Sequence, residues 1–369
     1  MNNHFKIIVP FYNVEKWIKI CIRSVKAQGY RDFQCILVDD LSTDRSIKII
    51  EKEIEGDDRF KLVVNKEKAY ALKNIYDAIV LSSPEQEDII ITLDGDDWLA
   101  SKDVLKTLND TYNRQNCWIT YGSYAEYPIG NRGKFARQIP KHVIDNILYR
   151  NSEWCSSHLR TFKYHLWSKI RKEDLLDQEG NFYKMAWDLA FMFPMLEMAG
   201  PKSQYIQDIL YVYNVDNPLN DHKVDNRYQR MLELEIRNKN KYDRVAVDAR
   251  SLLTPNRYDI AAKTIYAKTL TKGIECGFAE DLYLQHLKVW NNFYEEAPHK
   301  EGQESFIDSF RDTLYSIRDN GFKKNGAIPT FKGSPLNGAH RVASCIALDM
   351  PLRVREGHPP EGQYMCNYE

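Results

Sequence analysis

The stretch IIITLDGDDWL, residues 89–99, places a run of apolar residues directly before three carboxylates, Asp94, Asp96 and Asp97. A short apolar run that ends at turn residues predicts a buried strand. Three like charges at one strand end repel each other strongly where water is partly excluded. Because a hard divalent cation with oxygen ligands removes that repulsion, the stretch predicts a Mg²⁺ or Mn²⁺ site completed by phosphate oxygens.

A purely structural alternative assigns the carboxylates to a helix start. In it, Asp96 and Asp97 cap a helix that begins within WLASKDVL, with Ser101 as a rival N-cap. That alternative leaves Asp94 and a second acidic pair, Asp39 and Asp40, unexplained. We therefore favour the metal site.

Three further strand-like runs precede this stretch and alternate with amphipathic segments. The predicted strands are FKIIV (5–9), FQCILV (33–38), FKLVV (60–64) and DIIITL (88–93). Helical periodicity covers residues 14–27, 43–54 and 69–82. This alternation predicts an α/β fold in which a parallel sheet is covered by helices on both faces. Ligands of such sheets bind at the carboxyl ends of the strands, where the carboxylates lie.

The rest of the chain is less regular. One long helix is predicted near residues 187–199 and an exposed helix over 226–251, followed by a domain junction at LLTPNRY, 252–258. Helices are then expected over about 258–320, followed by a turn-rich segment and a helix that starts near Ala339.

Composition limits the class of protein. The 369 residues are 43% hydrophobic and carry a net charge of −1, which indicates sizeable cores and gives no overall charge signature for nucleic acid or an anionic membrane.

We find no apolar run near the roughly 18 residues that span a bilayer, and no signal-peptide pattern at the start. The seven scattered cysteines favour free thiols over a disulfide scaffold or a zinc ribbon. We expect a cytoplasmic protein without a transmembrane segment. Neither a dinucleotide-binding nor a P-loop glycine motif is present.

The combination of motifs points to a family. The run IIVPFYNVEKWIKICIRSVKAQGYRDFQCILVDDLSTD, followed by ITLDGDDWL, closely resembles the nucleotide-sugar-binding half of family 2 glycosyltransferases of the GT-A fold. In that family a P-x-Y-N turn, a V-D-D-x-S-x-D turn and a D-x-D-D turn occur in this order. The resemblance covers roughly residues 5–125 and weakens over 125–250. It implies a Rossmann-like mixed or parallel sheet that binds a nucleotide sugar, with UDP-sugars as the commonest donors.

The resemblance assigns the nucleobase site to the first two turns. Pro10, Phe11 and Tyr12 would frame the base, and Asp39 would accept a hydrogen bond from its imide N–H. Glu15 matches a further acidic position of the family, although a solvated glutamate in the first turn of a helix explains it nearly as well.

The diphosphate and the metal would be held at the third turn. Asp94 would bond the ribose or the water shell of the metal, and Gly95 separates it from Asp96, the expected direct ligand of Mn²⁺ or Mg²⁺. A metal there would neutralise charge as the nucleoside diphosphate leaves. Lys73 stands where the family has the arginine of an Arg-Asn pair, and it could meet a phosphate only as a point charge.

The acceptor half would supply the catalytic base. Inverting family members use the aspartate of a Glu-Asp pair at a helix start to take the proton from the acceptor hydroxyl. Asp188 fits that position, but Trp187 replaces the glutamate, and a carboxylate that answers the helix dipole is the alternative. His158, Arg160 and Trp187 are candidate contacts for a glycan or other hydroxyl-bearing acceptor, and His222 is a candidate second metal ligand.

The second informative stretch is SPLNGAHRVASCIALDMPLRV, residues 334–354. It resembles the ParB/sulfiredoxin-like fold, whose G-x-H-R motif holds nucleotide phosphate at a helix start. Gly338, His340 and Arg341 match that motif, while Ala339 stands in place of the reactive cysteine, so redox activity is not expected. A helix start with a structural glycine is the alternative.

Together these patterns predict two domains. A GT-A domain would cover 1–250, divided into a nucleotide-sugar-binding half, 1–125, and an acceptor half, 126–250, and a smaller α+β ParB/sulfiredoxin-like domain would cover 256–369. The predicted function is metal-dependent, inverting glycosyl transfer with Asp188 as general base. The alternatives are an aspartate-based phosphotransferase and a nucleotide-dependent binding or regulatory protein whose C-terminal domain is the active module.

Overall fold

The structure, a computed structural model, describes residues 2–255, 257–296, 299–323, 326–331 and 333–357, apart from the side chains of residues 221, 222 and 356. The chain divides into two compact units, Met1–Asp243 and Arg244–Glu369.

The N-terminal unit is built on one eight-stranded mixed sheet with strand order β3-β2-β1-β4-β7-β6-β8-β5. Its strands are β1 Phe5–Phe11, β2 Phe33–Asp39, β3 Phe60–Val64, β4 Ile89–Thr92, β5 Trp98–Leu99, β6 Ile119–Tyr127, β7 Ser157–Lys163 and β8 Ser203–Asn214. Its helices are α1 Ile18–Lys26, α2 Ser46–Ile54, α3 Tyr70–Leu81, α4 Val104–Gln115, α5 Lys141–Asn146, α6 Tyr164–Trp167, α7 Trp187–Ala199, α8 Asp221–Val224 and α9 Asn226–Asn238. This architecture confirms the predicted α/β fold.

The first half of the sheet is parallel, as predicted. Strand β1 pairs in parallel with both β2 and β4, with Phe5 opposite Phe33 on one side and Ile89 on the other. Almost every residue of β1, β2 and β4 is buried, because helices cover both faces of a parallel sheet. The parallel strands run in one direction, so the turns after β1, β2 and β4 meet at one edge.

The second half of the sheet was not predicted. Strand β7 pairs antiparallel with β4 and with β6, and β8 runs parallel to β6 and antiparallel to β5. These strands mix polar and aromatic residues, as in the segment of β8 from Ser203 to Asn214, and their register shifts between Gly122 and Tyr124 of β6. Because apolar and polar residues do not alternate regularly in these strands, the sequence gives no clear strand signal for them.

One helix prediction needs correction. The helix expected over 226–251 ends at Asn238, because the chain then turns so that the Tyr242 amide donates to the buried Glu197 carboxylate at 3.0 Å.

The capping alternative for the acidic turn is not supported. The helix within WLASKDVL begins at Val104, with Asp103 at its N-cap, and Trp98 lies in a strand. Asp96 and Asp97 therefore do not cap a helix.

The C-terminal unit combines helices with small sheets. Its helices are α10 Tyr258–Lys272, α11 Gly277–Asn291, α12 Gly302–Asn320 and α13 Ala339–Ala347, and its strands are β9 Tyr294–Glu295, β10 Lys300–Glu301, β11 Ile328–Phe331, β12 Ser334–Pro335 and β13 Val354–Glu356. Strands β12, β11 and β13 form one sheet, while β9 pairs with β10. The helices share a core around Tyr283, Phe306 and Phe310. The likeness to the ParB/sulfiredoxin-like fold stays a prediction.

Two further expectations concern the chain as a whole. The cysteines that the structure describes all carry free thiols, and Cys366 lies outside the described residues. Across the described ranges, we find no helix whose length and apolar character would allow it to cross a membrane.

A buried lysine and a half-buried histidine couple α10 to α11 in the C-terminal unit. The ammonium of Lys263 lies 3.2 Å from Nε2 of His286 and 3.4 Å from Oδ2 of Asp259, and Arg257 pairs with the same carboxylate. Burial, followed by the charge of Lys263, lowers the pKa of His286 from 6.5 to about 4. His286 is therefore neutral at pH 7 and accepts a hydrogen bond from Lys263.

We predict that the C-terminal unit loses stability as the pH falls from about 6.5 to about 4. In that window the unfolded chain binds a proton at His286 that the folded chain does not, so the free energy of unfolding decreases with falling pH. The variant His286→Gln keeps an acceptor for Lys263 without titrating, and its urea-unfolding midpoint should fall less over this window. The exposed His299 is the control, because His299→Gln should leave the wild-type pH dependence unchanged.

Candidate functional site

A cavity of about 660 Å³ opens in the N-terminal unit where the turns after β1, β2 and β4 meet. Residues from the second half of the sheet and from α7 close its other side. The predicted site residues that line it are Pro10, Phe11, Tyr12, Asp94, Gly95, Asp96, His158, Arg160, Trp187 and Asp188. One cavity thus contains residues from both halves of the unit.

The turn after β4 is packed tightly against the end of β1. The amide of Gly95 donates to the carbonyl of Pro10 at 3.1 Å. A Cβ atom at Gly95 would lie 2.5 Å from Cβ of Phe11, so only glycine fits without a backbone shift. This close approach brings the carboxylates that flank Gly95 to the cavity.

The three carboxylates of this turn have different environments. Asp97 is 1% exposed, and its carboxylate accepts hydrogen bonds from the Tyr211 hydroxyl at 2.6 Å and from the Asn214 amide at 2.7 Å. Burial, with the charges of Asp96 and Asp94, raises the pKa of Asp97. Asp94 and Asp96 are only partly buried and face the cavity. Asp97 thus joins strand β8 to the turn, and the other two carboxylates can meet a ligand.

Asp94 and Asp96 suit a magnesium or manganese ion that is shared with a phosphate. Such ions take one or two protein carboxylates and complete their shell with water and substrate phosphates. Within the described part of the chain, no three His, Cys, Asp or Glu side chains converge as a ready metal cage. Burial raises the pKa of Asp96. The side chain of His222 lies outside the described residues, and its role stays a prediction.

The nucleobase side of the cavity differs in detail from the expectation. Tyr12 lines it, but Asp39 is 1% exposed, and its carboxylate accepts from the Ser42 amide at 3.1 Å and does not line the cavity. Its neighbour Asp40 lines the cavity and pairs with Lys68 at 3.2 Å. The Lys68 ammonium also lies 2.9 Å from the centroid of the Tyr12 ring.

Besides Asp39, two further residues that were predicted to bind the sugar donor lie outside the cavity lining. Glu15 accepts hydrogen bonds from the amide and the Nε of Arg45, and these bonds lower its pKa. Lys73 forms an ion pair with Asp77 on the same helix. Each is therefore engaged by a neighbour on the surface, which leaves their roles in donor binding as predictions.

A chain of three polar side chains lies on the acceptor side. Nη2 of Arg160 donates to Oδ2 of Asp188 at 2.6 Å, and Nη1 of Arg160 lies 2.9 Å from Nε2 of His158. Burial, and then the charge of Arg160, keeps the pKa of His158 well below its usual value. His158 is therefore neutral and accepts from Arg160, while its ring stacks on Tyr211 at 4.5 Å. The chain fixes the Asp188 carboxylate at the cavity wall.

Two residues that line the cavity have left-handed backbones without being glycine. Tyr70 has φ 63° and Ala186 has φ 52°. Ala186 immediately precedes α7, and its left-handed conformation directs Trp187 and the carboxylate that follows. Such conformations cost about 1–3 kcal/mol each.

The C-terminal motif is packed into its own unit. Gly338 takes φ 82° at the N-cap of α13. The ring of His340 stacks on Phe310 at 4.4 Å, and its Nε2 lies 3.1 Å from the Tyr283 hydroxyl. Nη1 of Arg341 donates to the carbonyl of Gly326 at 2.7 Å. These groups are held by protein partners, and a phosphate site there stays a prediction.

Sequence reasoning missed several residues that line the cavity, among them the polar side chains of Lys68, Asn74, Lys184 and Asn217. Asn74 had a signal, because it follows Lys73 at the family's Arg-Asn position. Lys68, Lys184 and Asn217 come from irregular segments, where the sequence pattern does not show which way a side chain points.

Comparison with known proteins supports the family resemblance. Residues 6–172 match the model of the family described as glycosyl transferase family 2. An uncharacterized glycosyltransferase of Haemophilus influenzae is 38% identical over 122 residues, which is 32% of this chain and 46% of that protein. Glycosyltransferase GlyA of Streptococcus pneumoniae is 23% identical over 222 residues, which is 58% of this chain and 31% of that protein.

Solved structures give a looser likeness. The crystal structure of S. aureus TarS 1-349 is 18% identical and aligns with a TM-score of 0.45, covering 86% of this chain and 82% of that one. The present chain spans less than half the length of the two sequence relatives above.

We predict that Gly95→Ala destabilises the N-terminal unit by about 1–3 kcal/mol, because the added methyl group overlaps Cβ of Phe11 and neither backbone can yield freely. Urea unfolding measures the change. Gly29→Ala is the matched control, since its new Cβ would meet only the Lys102 carbonyl at 3.7 Å. Equal stability of the two variants would contradict the close packing described here.

Proposed function

Because residues 6–172 form a glycosyl transferase family 2 domain, we propose that the N-terminal unit transfers a sugar from a nucleoside diphosphate donor to an acceptor hydroxyl. The donor is a UDP-sugar, the acceptor is a glycan or another hydroxyl-bearing molecule, and the reaction inverts the anomeric centre with Asp188 as general base. Mn²⁺ or Mg²⁺ assists it.

One observation carries the proposal. A single cavity is lined by the two partly buried carboxylates Asp94 and Asp96 and also by Asp188, which is bound to Arg160. Glycosyl transfer needs charge neutralisation at the leaving diphosphate and a base at the attacking hydroxyl. Both kinds of group are present in this cavity, and they come from different halves of the fold.

The donor side follows from the residues at the β1 and β4 turns. Tyr12 offers a ring face to the nucleobase, and Asp40 and Lys68 lie beside it. Asp96, with Asp94, would hold the divalent ion, which supplies positive charge to the departing diphosphate. Lys184, whose ammonium lies 5.0 Å from the Tyr70 ring centroid, adds a further cation at the same cavity.

The acceptor side follows from the Asp188 chain. Asp188 accepts the proton of the acceptor hydroxyl while that oxygen bonds to the anomeric carbon and the bond to the diphosphate oxygen breaks. Arg160 holds the carboxylate in one orientation, and neutral His158 holds the guanidinium in turn. Trp187 lines the same wall and gives an apolar surface on which a sugar ring can pack.

We predict that nucleoside diphosphates stabilise the protein only with Mn²⁺ present, and that Asp96→Ala abolishes this stabilisation. A ligand at a hundred times its dissociation constant raises the free energy of unfolding by about 2.7 kcal/mol. Thermal shifts with UDP, GDP, ADP and CDP, each with and without Mn²⁺, measure the effect. Asp103→Ala, which removes an exposed carboxylate at the start of α4, should behave like the wild type. Shifts that need no metal and survive Asp96→Ala would count against the site.

We predict that Asp188→Asn lowers kcat by roughly 10²–10⁴-fold, because the amide cannot take the proton of the acceptor. Donor binding should persist, since Asp188 does not hold the nucleotide. Steady-state transfer kinetics and a parallel donor-binding titration separate the two effects. Asp225→Asn is the control, because Asp225 lines the same cavity but caps α9 through the Tyr228 amide. Comparable losses of kcat in both variants would argue against Asp188 as the base.

A further inference from the structure

An amide from a distant loop contacts the proposed metal-binding carboxylate. Nδ2 of Asn217 lies 2.6 Å from Oδ2 of Asp96, although the two residues are 121 positions apart in the chain. Asn217 is 5% exposed and belongs to the segment between β8 and α8, part of which lines the cavity. Buried polar side chains are usually hydrogen-bonded, and the NH₂ group of Asn217 has Asp96 as its partner.

The orientation of the Asn217 amide is determined by its neighbours. Its Oδ1 accepts from the backbone N–H of Leu219 at 3.0 Å, which only an oxygen can do. The NH₂ group must therefore face Asp96, whose ionised carboxylate can only accept. The ammonium of Lys223 donates to the Asn217 carbonyl at 3.2 Å and holds the backbone of the loop.

A neutral donor suits this position better than a charged one. An arginine or lysine at 217 would neutralise Asp96 and compete with a divalent ion. An amide fixes the Oδ2 atom without adding charge, so Asp96 keeps its attraction for a cation. The bond engages one oxygen, and the residue continues to line the cavity.

We propose that Asn217 is a positioning residue that orients the Asp96 carboxylate for the divalent ion and thereby links the loop 215–220 to donor binding. This inference rests on the proposed function. Partners that orient a metal ligand contribute roughly 10–100-fold to metal affinity in other proteins. The role also explains why Leu219 and Asn220 of the same loop line the cavity, since the loop is held where the metal would bind.

The test measures metal binding, not turnover. Full-length wild type, Asn217→Ala, Asn217→Ser and Pro218→Ala are titrated with Mn²⁺ at saturating UDP, and free Mn²⁺ is followed by electron paramagnetic resonance. We expect Asn217→Ala to weaken Mn²⁺ binding roughly 10–100-fold and Asn217→Ser, which keeps a short donor, to weaken it less. Pro218→Ala changes an exposed residue of the same loop that does not line the cavity, and it should bind Mn²⁺ like the wild type.

The outcomes separate this inference from the function on which it rests. Wild type that binds Mn²⁺ with UDP while Asn217→Ala binds it equally well would overturn the role of Asn217 alone. An equal loss in Pro218→Ala would assign the effect to the order of the loop, and would also overturn it. Wild type that binds no Mn²⁺ with UDP would overturn the proposed function first. If Asn217→Ala does not fold, the graded comparison of Asn217→Ser with Pro218→Ala decides.

Discussion

The buried carboxylate of Asp97 is the contact on which the rest of the N-terminal unit depends. It accepts from Tyr211 and from the amide of Asn214, both on β8, while its own backbone belongs to the turn after β4. Parallel strands deliver the acidic turn, and the irregular second half of the sheet provides the donors that make its burial tolerable. Removing either donor would leave a buried oxygen of Asp97 without its hydrogen-bond partner. The two halves of the unit are therefore joined at the same point where the cavity lies.

The three carboxylates of the turn after β4 therefore have different roles: Asp97 holds the turn in place, and Asp94 and Asp96 can contact a ligand. Asp97 reaches the cavity wall, but it is 1% exposed and held by β8, while Asp94 and Asp96 are only partly buried. The acidic pair after β2 is divided less sharply. Asp39 accepts from the Ser42 amide within its own turn, and Asp40, which lines the cavity, is also buried and accepts from the Ala69 amide.

The elements that could be predicted from the sequence are those in which apolar residues recur with a clear strand or helix spacing. Strands β1, β2 and β4 are continuous apolar runs because both their faces are buried. Helices α7 and α13 begin where their patterns begin. Strand β8 was missed because Ser203–Asn214 alternates imperfectly and its register is broken. The positions of Lys68 and Asn217 could not be predicted, because their directions are set by contacts with residues far away in the chain. Lys73 was placed by its sequence position alone, and its ion pair with Asp77 depends on a helix face that the motif does not specify.

The ammonium of Lys68 rests on the face of the Tyr12 ring and beside the carboxylate of Asp40. A flat group can pack on that face of the ring only after the lysine has moved away. Ligand binding there would therefore replace the contact between Lys68 and Tyr12. The lysine has a long, flexible stem and can carry its charge elsewhere when it leaves. A lysine in this position shields the aromatic ring from unrelated apolar molecules. It also places a cation next to the point where an anionic ligand would bind.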